Sequence, residues 1–142
     1  MADHRHTYTH QLNPDGPHSD DYTRHVASAL SESVRVLNHA TREAGVTAPN
    51  TVYDVLGHAA AAVSGLDQLL RQLNQRLASM HAAGEIGHDN HPPVNAVLQA
   101  RLMLTEGRSL ARALAERVDR AHEITAGMYL IDHSDGSAGG GA

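Results

Sequence analysis

From Val52 to Met80 the chain places an apolar residue at every third or fourth position: Val52, Leu56, Ala59, Val63, Leu66, Leu70, Leu73, Leu77 and Met80. Steps of four and three alternate without a break. Residues so spaced share one face of an α-helix, and the pattern predicts a helix over 51–82. An ideal helix drifts by about 20° per heptad against a seven-residue repeat, so a stripe held this long implies supercoiling along a partner. Val55, Ala62 and Leu69 lie one position before alternate stripe residues and widen the face. A two-stranded seam needs only the narrow stripe, so the wider face suits a bundle in which this helix meets two neighbours.

A second long pattern follows over 93–130. Its stripe is Val97, Ala100, Leu104, Gly107, Ala111, Leu114, Val118, Ala121, Thr125 and Met128, broadened by Leu98, Leu102, Leu110 and Ile124. Between the two lies AAGEIGHDNHPP, residues 82–93, a turn whose prolines suit the first position of the next helix. Folding the pair as an antiparallel hairpin about this turn makes facing residue numbers add to about 177. Leu77 then meets Ala100, Leu70 meets Gly107, Leu66 meets Ala111, Ala59 meets Val118 and Leu56 meets Ala121. Large residues face small ones along most of the length, which is how packed layers interdigitate.

A shorter pattern precedes these, predicted over 20–44. Ser19 or Asp20 can cap its start, and Val26, Leu30, Ser33, Leu37, Ala40 and Ala44 form its stripe. Gly45 is expected to close it in the left-handed conformation. At 1.5 Å per residue this helix spans about 38 Å, against about 45 and about 55 Å for the other two. The expected fold is therefore all-α: an elongated three-helix bundle over 19–131, dominated by the long antiparallel hairpin. Residues 1–18 and 132–142 read as flexible termini, one His-rich and one Gly/Ser-rich. Because the first helix is too short to cover the hairpin, part of the face formed by Val55, Ala62, Leu69, Leu98, Leu102 and Leu110 is expected to serve as an interface with another chain.

Composition sharpens this picture. The chain has no Cys, Trp or Phe, so it lacks a disulfide framework, and its core is made of Leu, Val and Ala on closely approaching helices. All eleven basic residues are Arg, a bias expected of a bacterium with a GC-rich genome. A net charge of −5 argues against a dedicated nucleic-acid binder, whose affinity comes largely from phosphate neutralisation. Protonating all twelve histidines would carry that charge to +7, so the surface changes sign under mild acid. No apolar run reaches the roughly 20 residues needed to span a bilayer, and no signal peptide is visible at the N-terminus. The expectation is a soluble, cytoplasmic protein with no membrane association.

Candidate chemistry is sparse. His81, Glu85, His88 and His91 are the densest set of metal-type ligands, suited to zinc or a similar ion, but they sit in a glycine-rich turn. Removal of Met1 would expose Ala-Asp-His, in which the amine, two amides and the His4 imidazole form a square-planar nitrogen set for Cu(II) or Ni(II). HEITA, residues 122–126, has Ala126 where a zincin helix needs its second His. No nucleophile stands beside an evident base, and no glycine loop suits a phosphate. The expectation is no enzyme and no cofactor. Arg101, Arg108, Arg112, Arg117 and Arg120 could form a nucleic-acid face, but Glu106, Glu116, Asp119 and Glu123 interleave with them.

In size and in having a long hairpin the chain resembles the small Trp-x-Gly helical-hairpin proteins exported by bacterial secretion systems. It has no Trp at the turn, and His133 stands four residues after Tyr129 where that family has an acid, so no property is carried over. The functional expectation is a non-enzymatic helical interaction or scaffold protein. It would self-associate, most simply as a dimer, or dock a protein partner through the apolar hairpin face. A regulatory or nucleic-acid-associated protein using the Arg face, and a metal-binding bundle using the His-rich turn, are the alternatives.

Overall fold

Three helices make up the regular structure of the computed structural model, which describes residues 12–42, 44–90 and 92–131. The predicted 1–11 and 132–142 portions of the termini lie outside the described residues, as do Glu43 and His91. The chain divides into two units, residues 1–46 and 47–142.

The first unit holds α1, Asp20–Ala40. Ser19 caps it, its hydroxyl accepting from the Tyr22 backbone N–H, and Asp20 and Asp21 lie at the positive end of the helix dipole. The segment before it, 12–18, turns through Asn13, whose backbone N–H donates to the Tyr22 hydroxyl at 2.9 Å. The helix stops four residues short of the predicted end. The Thr41 N–H and hydroxyl both reach the Leu37 carbonyl, closing the last turn. Gly45 is not left-handed; among the described residues only Gly16 and Gly84 are. Its place is fixed by proximity instead, since a Cβ there would run into the Ala40 carbonyl. No residue of α1 is buried: Val26 and Ala29 are half-covered, while Leu30, Val34, Val36 and Leu37 are exposed.

The second unit is the hairpin of α2, Pro49–Ala82, and α3, Pro93–Thr125. A proline opens each helix, where its missing N–H removes one donor that has no partner anyway. Helix α2 ends in a Schellman motif: the Gly84 N–H bonds the His81 carbonyl and the Glu85 N–H the Met80 carbonyl, with Gly84 at φ 73°. Helix α3 stops at Thr125 rather than 130, ahead of Ala126 and Gly127.

The two helices pack antiparallel in the expected register. A Cβ on Gly107 would stand 3.4 Å from Leu70 Cδ1, and 70 and 107 add to 177. The other cross-hairpin contacts fall two residues to either side, about half a turn. Residues 53 and 122, 67 and 108, and 74 and 101 each add to 175, while 67 and 112, 74 and 105, and 57 and 122 add to 179.

The seam is rotated from the predicted stripe. One position per heptad turns inward as expected: Leu56, Val63, Leu70 and Leu77 on α2, with Val97, Leu104, Ala111 and Val118 on α3. The other position falls one residue later than the leucine pattern indicates. On α2 it is Tyr53, Ala60, Asp67, Asn74 and His81; on α3 it is Arg101, Arg108, Ala115 and His122. The physical cause is pairing. Ala60 and Ala115 are both buried and their methyl-sized side chains let the backbones approach, while the polar residues before and after them bond each other across the seam. The described core is correspondingly thin: Ala60, Val97, Ala111 and Ala115 are its buried apolar residues.

Candidate functional site

Rotation of the seam gives the hairpin two unlike edges. Residues seven apart return to the same side of a supercoiled helix, so the polar seam positions form a ladder along one edge. At one end the His122 ring stacks on Tyr53 with centroids 4.1 Å apart, and a Cβ on Gly57 would stand 3.0 Å from its Nε2. A side chain at 57 would press on that ring. In the middle, Arg108 Nε donates to Asp67 Oδ1 at 2.7 Å, with Arg112 at 4.0 Å from the other carboxylate oxygen. Next, Arg101 Nε donates to Asn74 Oδ1 at 2.8 Å, and the Asn74 amide donates to the Thr105 hydroxyl at 3.3 Å. The Arg108 hydrogen bond holds the Asp67 carboxyl below the usual carboxylate range; partial burial opposes it, and the charges of Arg108, Arg112 and Arg71 reinforce it.

The opposite edge carries the displaced leucines. Since the polar positions of both helices meet on one side, the residues flanking the seam on the other side of each helix share the second side. These are Leu66, Leu69 and Leu73 on α2 and Met103, Leu110 and Leu114 on α3. Leu73 is 48% exposed, Leu114 52% and Leu110 71%. No charged residue stands among them from Val52 to Leu73 on α2 or from Ala100 to Leu114 on α3.

The six residues expected at the interface do not form one surface. Val55 is half-buried, Ala62 exposed and Leu69 exposed, and all three flank the apolar edge of α2 together with Leu110 across the seam. Leu98 and Leu102 are exposed too, but Leu98 lies one turn before Arg101 and Leu102 one turn before Thr105, so both are on the ladder side of α3. Met103 and Leu114 take their place on the apolar edge.

The metal candidates disperse. His81 is half-buried in the last turn of α2, Glu85 follows the helix end, and the His88 ring accepts from the Asn90 N–H in the loop. Among the described residues no three His, Asp or Glu side chains gather as a metal-binding set. His91 and His4 lie outside the described residues. The arginines of α3 are largely engaged within the fold. Arg120 pairs with Glu123 at 2.8 Å, and Arg101 and Arg108 belong to the ladder.

The ladder residues Tyr53, Asp67, Asn74, Arg101, Arg108 and His122 escape a search for apolar stripes. Their signal is the exact heptad spacing of 53, 60, 67, 74 and 81 against 101, 108, 115 and 122. No described helix is long and apolar enough to cross a membrane. No family model, curated protein or solved structure matches the chain.

Proposed function

We propose that this chain is a non-enzymatic helical interaction module that pairs with a second copy of itself through the apolar edge of the α2–α3 hairpin. The observation that carries the proposal is the contrast between the edges. One edge is tied by cross-seam bonds and carries its exposed Leu98 and Leu102 beside Arg101, Arg108 and Arg112; the other leaves Leu69, Leu73, Met103, Leu110 and Leu114 exposed with no charge among them. A hairpin whose buried apolar residues, among those described, are three alanines and one valine gains most from another layer of helices. A like edge supplies that layer. It has the same heptad period, so knobs and holes repeat in step, and it brings no charge against charge along the central stretch. A two-fold pair of hairpins is a four-helix bundle, a closed assembly that uses one patch twice.

Light scattering on the size-exclusion peak near neutral pH tests this. A mass of twice the 15.2 kDa chain, held on moderate dilution, is the expected result. A monomer at every concentration would overturn self-pairing, and a stable complex with a different protein in that case would reassign the edge to that partner.

A further inference from the structure

On the ladder side of the hairpin a groove of about 510 Å³ opens between Arg71, Asn74, Gln75 and Ser79 of α2 and Arg101 and Arg108 of α3. Its charge is lopsided. Three arginines line it and no carboxylate does. The nearest acid that bonds any of them is Asp67, which is shared between Arg108 and Arg112. We infer that this groove is a binding site for a linear polyphosphate chain, free or as part of a nucleoside triphosphate.

Three features lead to that class of ligand. First, the arginines are oriented before any ligand arrives. Arg101 is held through Nε by Asn74 and Arg108 through Nε by Asp67, so the two terminal nitrogens of each remain for a ligand. A guanidinium presents such a fork in the geometry that phosphate oxygens accept. Second, Arg101 and Arg108 are two helical turns apart on α3, about 10 Å along the axis. A single phosphate cannot meet both ends of that span, whereas a chain of two or three phosphates can. Gln75 and Ser79 add neutral donors along the way. Third, no aromatic residue lines the groove. Single-stranded nucleic acid is normally held by bases stacked on aromatic rings, and that platform is missing here.

The test is isothermal titration of the full-length protein with sodium tripolyphosphate, against orthophosphate and against chloride at matched ionic strength. Saturable binding of one tripolyphosphate per chain, with orthophosphate at least about tenfold weaker, is expected. Among the described residues Arg71 makes no hydrogen bond or ion pair, and only its charge reaches Asp67, so Arg71→Gln removes a groove cation without breaking a direct contact. It should weaken tripolyphosphate binding about tenfold while leaving the circular dichroism unchanged and lowering the melting temperature without ligand only slightly. Arg101→Gln should weaken binding further, and Arg24→Gln on α1 should have no effect. ATP binding as tightly as tripolyphosphate, and no tighter, supports recognition of the phosphate chain alone. Heat no greater than that of matched chloride would overturn the inference. So would equal binding by Arg71→Gln, binding of ATP without tripolyphosphate, or binding confined to a DNA oligonucleotide.

Discussion

Asp67 stands in a helix at a position the leucine pattern assigns to solvent, and it holds two arginines of the facing helix. Its effect on stability has a defined sign. The Arg108 bond lowers its carboxyl pKa in the folded chain, whereas the unfolded value is about 3.9. The stabilisation is therefore complete above about pH 4 and is lost as pH falls through the folded value. Urea melts should show Asp67→Asn less stable than the parent at neutral pH, with the gap narrowing as pH falls below about 4. An equal gap in neutral and acid solution would mean the carboxylate contributes no charge-dependent stability. Glycines supply a second check at this scale. Nothing stands within 4 Å of a Cβ at Gly65, so Gly65→Ala should gain about 1 kcal/mol of helix propensity. Gly57→Ala should gain clearly less, because its Cβ would press on the His122 ring that Tyr53 holds from the other side. Thermal melts of the two variants decide this, and equal gains would show that the ring yields freely.

Helices pair here in a register set by size. Leu70 fills the space above Gly107, and the contact distance to a Cβ is 3.4 Å, room for a methyl group and little more. Gly107→Ala should fold normally, while Gly107→Leu should overpack the seam by about 1–3 kcal/mol. Leu70 is half-buried, so Leu70→Ala should cost about 1–2 kcal/mol, less than a fully enclosed leucine. Chemical denaturation reads all three, and near-neutral Gly107→Leu would place the register elsewhere. The register and the three helices were legible in the sequence because turn position, proline starts and alternating steps of three and four are local signals. Which edge of the stripe faces inward was not. Leu66 and Asp67 differ by one position, and burial of leucine alone favours the first; the choice falls to Asp67 because Arg108 waits one helix away, a partner forty-one residues distant. The same long-range pairing hid Asn74 with Arg101 and Tyr53 with His122. Helix ends shifted where a cap lay outside the periodic pattern, as at Ala40, where Thr41 closes the turn that Gly45 was expected to close.

At the scale of the whole molecule, the two edges of the hairpin have separate tasks. Cross-seam bonds and small buried residues join α2 to α3 on the ladder side, and the leucines of the other side remain for a further layer. Burying a half-exposed leucine contributes about 1 kcal/mol, so several on each copy can outweigh the cost of association. The most direct measurement compares two variants, Leu114→Glu on the apolar edge and Leu102→Glu on the ladder side. Their masses are read by light scattering once circular dichroism has shown both to be helical. Leu114→Glu should run at the 15.2 kDa of one chain and Leu102→Glu at twice that mass. Two dimers, or a monomer from Leu102→Glu alone, would contradict pairing through the leucine edge.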